Sequence, residues 1–274
     1  MKKRISSFIL IIIFLIGLSL LLYPTFSDYW NSLHQSRAIS SYVHNVADLD
    51  KERYDQMWAD AENYNKQILE RVNPYFISDA ERQAYSECLN ISSDGMMGYI
   101  EIPTINCLLP IYHGINDTVL QRAIGHIDYT SLPIGGESTH SALSGHRGLP
   151  SAKLFSTLDK LDEGDLFLIR IMDETLTYEV DQILIVEPTE TSSLEIVEGE
   201  DYCTLITCTP YGVNTHRLLV RGHRVDAREI SSSIRVTADA IQIEPIVVAP
   251  IIAVLLLLIM IVWFFISKHI KRKS

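Results

Sequence analysis

The chain has 274 residues, with 23 Lys and Arg against 34 Asp and Glu, for a formal net charge of −11. That length allows one or two domains, and the acid excess argues against a nucleic-acid partner, which needs a basic surface. No GxGxxG, Walker or GxSxG pattern occurs, so dinucleotide, nucleotide and serine-hydrolase chemistry have no motif here.

The ends are apolar. Residues 5–23 (ISSFILIIIFLIGLSLLLY) and 246–266 (IVVAPIIAVLLLLIMIVWFFI) carry no charge, and roughly 20 such residues span a bilayer. Both predict transmembrane helices. Pro250 is tolerated near the start of the second, and Trp263 suits an interface. Lys2, Lys3 and Arg4 precede the first span, and Lys268, Lys271, Arg272 and Lys273 follow the second. Basic flanks stay cytoplasmic, so both tails (1–4 and 267–274) are expected inside and residues 24–245 outside. The residues after the first span, YPTFSD, contain no A-x-A-like cleavage site, which favours an anchor over a signal peptide. Setting aside the seven terminal cations leaves 16 basic against 34 acidic residues outside, a net −18.

Residues 24–95 read as a helical and lid region. Met57, Ala61, Tyr64, Ile68 and Val72 recur every three or four residues, a helical stripe ended by Pro74. Residues 75–95 are polar and irregular and read as a linker or mobile flap. From residue 96 to 228 the texture is all-β with added helices. GYIEIP (98–103), CLLPIYHG (107–114), DLFLIRI (165–171), LTYEVDQILIV (176–186), YCTLITC (202–208) and HRLLVRG (216–222) are short strands between turn signals, as in a barrel or sandwich. LPSAKLFSTLDKL (149–161) is expected to be the internal helix, and 229–245 a juxtamembrane linker. No internal repeat is present.

Four cysteines, Cys88, Cys107, Cys203 and Cys208, allow two disulfides in three connectivities. Cys203 and Cys208 lie in one strand at about 16 Å by the strand rise, too far for a bridge that needs Cα atoms within about 7 Å. Cys88 and Cys107 either pair or serve as small buried hydrophobes, and Cys203 reads as buried. Cys208 ends its strand before the turn-prone TPYG. If the next strand starts near Arg217, the two become antiparallel neighbours, a nucleophile beside a cation or simply a packed pair. His146, flanked by glycines in SALSGHRGLP after an apolar strand, is the candidate proton shuttle. His216 is its rival, but His216 and Arg217 point to opposite faces, so only one can face Cys208. His140 and His146 are six apart and match no zinc spacing.

TLITC (204–208) followed nine residues later by Arg217 resembles the TLxTC…R signature of sortases, the surface cysteine transpeptidases of Gram-positive bacteria. SLPIGGESTHSALSGHRGLPSAKLFSTLDKLDEGD (131–165), GYIEIPTINCLLPIYHG (98–114) and TCTPYGVNTHRLLVRGHR (207–224) resemble class C, the pilin-polymerising sortases. The resemblance covers about residues 95–226, and a second, C-terminal span also fits that class. It implies a closed eight-stranded sortase β-barrel, with Cys208 as nucleophile, His146 as acid/base and Arg217 as oxyanion and substrate clamp. It also implies acyl transfer from an LPxTG-like sorting signal on a pilin or surface protein. The acceptor would be a pilin Lys amine or peptidoglycan, with no metal or organic cofactor. A housekeeping sortase that anchors proteins to the wall, and a sortase-like binding protein without turnover, are the alternatives. Many class C members plug the site with an Asp-Pro-aromatic lid. Here the nearest match is Asn73-Pro74-Tyr75, and Asn lacks the charge that would pair with Arg217, so a weakly or differently latched lid is expected.

Overall fold

The computed structural model describes residues 2–71 and 75–226. The second expected span, the linker before it, both flanking calls at Pro250 and Trp263, and the lid positions Asn73 and Pro74 lie outside these residues. Two compact units are present, one reaching Tyr29 and the other starting at Trp30. Helix α1 (Lys2–Ala47) begins in the first unit and runs on through Pro24, well past the expected end at Tyr23. Its stretch Ile11–Ala47 is the one helix among the described residues long and apolar enough to cross a membrane.

The second unit is built on a closed eight-stranded barrel. Its strands are β1 (Met96–Ile102), β2 (Cys107–His113), β3 (Ile124–His126), β4 (Thr139–Ser144), β5 (Leu166–Ile171), β6 (Glu174–Val186), β7 (Asp201–Thr209) and β8 (His216–Val225). Their order around the barrel is β1-β2-β3-β4-β7-β8-β6-β5. The β2–β3 and β4–β7 pairs are parallel and the rest antiparallel. Alternation decides which side chains enter: in β5, Phe167, Ile169 and Ile171 are buried and their neighbours are half-buried. Inside, Phe167 stacks on Tyr178 at 5.4 Å. Gly222 makes room for this, because a Cβ there would lie 2.6 Å from Phe167 Cε1.

Helices close the barrel's flank. Tyr42 on α1 is fully buried; its hydroxyl donates to Met97 O at 2.6 Å and accepts from Met172 N–H at 2.8 Å. Helix α2 (Lys51–Leu69) starts at Asp50, whose carboxylate accepts from Arg53 N–H, and buries Ala61, Tyr64, Asn65 and Ile68. The Asn65 amide bonds both backbone groups of Leu132. The helical stripe is therefore real up to Ile68; Val72 is outside the described residues.

Two expectations fail here. Residues 75–95 are not a loose flap: α3 (Asp79–Glu87) carries a full capping box, in which Ser78 and Glu81 bond each other's backbone N–H. Tyr85, Cys88, Leu89 and Ile91 are buried beneath it. The segment reads as polar because its helix buries only Tyr85. Residues 149–161 do not form an α-helix; only Leu158–Lys160 makes a single 3₁₀ turn. Leu154 sits at φ +37°, which breaks a helix, and the chain instead turns Leu154, Phe155, Leu158 and Leu161 into the core. Tertiary burial overrides the local pattern.

Candidate active site

The outer face of β4, β7 and β8 carries a second apolar cluster. Ile127, Ala142, Leu194, Ile206 and Leu219 form it, with Tyr129, Leu184 and Val186 packed against them. Fully burying one such Ile or Leu stabilises by about 1.5–3 kcal/mol. Two residues beyond Ile206 along the same strand face lies Cys208, and two before Leu219 lies Arg217. The candidate residues thus stand at the rim of an apolar floor.

Register places them in a row. Antiparallel β7 and β8 match Cys208 to Arg217 and Thr209 to His216. Parallel β4 and β7 match Ser144 to Ile206. The pairing then continues past the strand end. Gly145 N–H donates to Ile206 O at 3.0 Å, and Thr207 Oγ1 donates to Gly145 O at 2.8 Å. One step further, Arg147 Nη1 donates to Thr209 Oγ1 at 3.2 Å. Carrying the β4–β7 register two residues past its end brings His146 level with Cys208. Cys208 therefore has His146 on one side and Arg217 on the other.

Gly145 allows this approach, since a Cβ there would meet Ile124 Cδ1 at 2.6 Å and Phe155 Cδ2 at 2.7 Å. The His146 carbonyl accepts from Phe155 N–H at 3.2 Å, which pins the turn after it. No ring nitrogen of His146 meets a hydrogen-bond partner among the described residues. One Nη of Arg217 donates to the carbonyls of His216 (3.2 Å) and Asn214 (3.4 Å). Its other N–H groups meet no partner among the described residues, so they are available to an oxygen of a ligand.

All four cysteines are free thiols. Cys88, Cys107 and Cys203 are buried, and desolvation pushes their thiols up, Cys88 to about 11 and Cys107 to about 12. Cys208 is half-buried. Other histidines are committed elsewhere. His126 and His140 are buried, each with both ring nitrogens bonded, and burial lowers both. His216 turns away to Glu187 Oε1 at 3.3 Å and to Thr215. It pairs across the sheet with Thr209, not Cys208, so the rival is on the wrong register position. Among the described residues no three His, Cys, Asp or Glu side chains converge as metal ligands.

Of the expected lid, Tyr75 is described. Its ring meets Tyr129 edge-on at 5.5 Å, and Tyr129 packs on the outer-face cluster. Burial raises the Tyr129 phenol above its ordinary value. Three neighbours of the site escaped the sequence reading: Arg147, Thr209 and Tyr129. The signal for Thr209 was the alternation in TCT, which puts Thr207 and Thr209 on the face opposite Cys208.

The Sortase domain family matches residues 100–225. Sortase C1 of Streptococcus agalactiae is 54% identical, over 69% of this chain and 98% of that one, with a TM-score of 0.68. Clostridium perfringens sortase C, solved with the C-terminal cell wall sorting motif, is 42% identical over 70% of this chain and 99% of that one, with a TM-score of 0.62. Sortase D of Bacillus subtilis is 30% identical over 131 residues, 47% of this chain, and the match spans 63% of that relative's length. With the barrel, the site's register and these matches together, the chain belongs to the sortase family of cysteine transpeptidases, within class C.

Proposed function

We propose that this chain joins pilin subunits by transpeptidation, with Cys208 as nucleophile, His146 as acid/base and Arg217 as oxyanion and substrate clamp. The observation that carries this reading is the register that sets Cys208 between His146 and Arg217. Cys208 Sγ attacks the Thr carbonyl of an LPxTG-like sorting signal. The free N–H groups of Arg217 hold the oxygen as it gains charge. His146 gives its proton to the leaving Gly amine, and a thioacyl-enzyme remains. A pilin Lys amine then attacks the thioester carbonyl, His146 takes the amine proton, and the Cys208 thiolate leaves as an isopeptide bond forms. Peptidoglycan amine is the other acceptor class. The sorting motif held by the Clostridium perfringens relative supports a substrate of this kind.

The domain plan that goes with this is an anchor at 5–23, the helical region at 24–95, the catalytic barrel at 96–228, a linker at 229–245 and a second span at 246–266. Both tails would be cytoplasmic and the barrel extracellular, in a lipid bilayer. The apolar helix Ile11–Ala47 supports the first anchor. Of the expected lid, 73–95, the part from α3 onward is docked through the buried Tyr85, which leaves the residues around Tyr75 as the lid candidate. With Asn73 for Asp, the reading is a weak or differently latched lid. Tyr75→Ala then raises the rate on a soluble peptide by no more than roughly threefold, since a mostly open site gains little from opening. A gain above tenfold would mean a firm latch.

The test uses the full chain in detergent micelles with LPxTG peptides. Intact mass should show a thioacyl adduct, absent in Cys208→Ala. An adduct that survives in Cys208→Ala would sink the assignment. No adduct with any peptide, from a protein whose Cys208 still alkylates, would favour the binding-protein alternative. An adduct resolved only by peptidoglycan amines would favour the housekeeping one.

A further inference from the structure

Arg147 follows His146 and is a charge with little water around it, its side chain being 9% exposed. Three segments converge on its guanidinium. Nη1 donates to Thr209 Oγ1 at 3.2 Å, Nη2 bonds the Asp159 carboxylate, and the group lies over the Tyr211 ring at 5.9 Å. Its Nε–H is buried without a partner among the described residues. The Asp159 carboxylate is 43% exposed, so solvent screens the pair and it adds little stability to set against burying the guanidinium. The pair also leaves a donor unsatisfied. Something other than stability is therefore the better account of it.

The location supplies that account. The β4–β7 pairing makes its last backbone bond at Gly145 N–H, and His146 has one backbone tie of its own, its carbonyl to Phe155 N–H. Two side-chain ties bracket it as well. Thr207 to Gly145 lies on one side, and Arg147 to Thr209 on the other. The second tie joins the residue after His146 to the residue after Cys208. Thr209 points to the strand face opposite Cys208, and neither side chain bonds Cys208 Sγ or the His146 ring.

We propose that Arg147 is a positioning residue: through Thr209 it holds His146 in line with Cys208 for both proton transfers. This rests on the transpeptidase reading above. Arg suits the task better than Lys, because its planar fork bonds Thr209 and Asp159 together and fixes the angle between them.

The experiment compares wild type, Arg147→Lys, Thr209→Val and the double variant, as full chains in micelles, by kcat, KM and melting temperature. Misplacement of about 1 Å costs on the order of 100-fold in rate. Arg147→Lys should therefore lower kcat by about 10- to 100-fold, with KM changed less than about twofold, since substrate contacts remain. Thr209→Val, nearly isosteric and expected to fold, should lower kcat in the same way. The double variant should be no slower than the worse single one, because one tie is being cut twice. Free guanidinium ion should restore part of the kcat of Arg147→Ala. Normal kcat in both single variants, a fall confined to melting temperature, or additive losses in the double variant would each overturn the proposal. Absence of any thioacyl adduct in wild type would instead overturn the transpeptidase reading, and the proposal with it.

Discussion

Acid should unfold this protein through His126 in particular. The imidazole is fully buried at the end of β3. Its Nε2 donates to Ser131 O at 2.8 Å, and its Nδ1 accepts from Tyr85 of α3 at 3.0 Å. Desolvation holds its pKa down to about 3; the Ser131 carbonyl opposes that, and His113 adds to it. The unfolded chain protonates near 6.5. The folded value lies below the unfolded one, so between pH 6.5 and 3 only the unfolded chain takes up this proton. Its stabilising effect is complete above pH 6.5 and is lost on acidification, at about 1.4 kcal/mol per pH unit. From pH 6.5 to 5 the loss is about 2 kcal/mol, or roughly 4–8 °C of melting temperature for a domain this size. His126→Gln keeps a donor and an acceptor but does not titrate. His113 and His140, lowered in the same direction by burial, remain in both proteins. Thermal melts of wild type and variant at pH 7 and pH 5, followed by circular dichroism, should therefore converge by roughly 4–8 °C on acidification. Parallel curves would refute the reasoning.

Three further outcomes follow from the packing. Tyr42→Phe should destabilise by about 1–3 kcal/mol, because Met97 O and Met172 N–H are left unpaired in the core; a melt unchanged within error would contradict this. Gly145→Ala should cost about 1–3 kcal/mol by overpacking against Ile124 and Phe155. It should also slow thioacylation by displacing His146, which single-turnover kinetics would detect; a wild-type rate would show that the turn absorbs the methyl group. Iodoacetamide at pH 7.5 should label one of the four thiols in the folded protein, Cys208, since burial protects the other three. Peptide mapping that finds Cys88 or Cys107 labelled first would count against the burial argument.

The sequence made the strands of the barrel legible where they are long. β5 to β8 each run for six or more residues, and their turns are marked. β3, three residues long, offers no period at all, and it exists because β2 and β4 flank it. Cys208 beside Arg217 followed from the strand ends alone. His146 beside Cys208 did not, because a parallel neighbour 62 residues away in sequence leaves no local mark. The capping box Ser78-x-x-Glu81 was visible but drowned by polar neighbours. The false helix at 149–161 has helix-like apolar spacing, yet those side chains fill the barrel's core from an irregular backbone.

The parallel contact between β4 and β7 also has a temporal meaning. Pairings between neighbouring hairpin strands, such as β5 with β6, close short loops and form early, whereas this one must close a loop of about 60 residues. His146 and Cys208 meet only across that slow contact. A chain folded only in part carries the thiol and the imidazole on separate pieces of structure. The proposed chemistry therefore has to wait for this pairing, so a thioester on Cys208 would also report that β4 and β7 have come together.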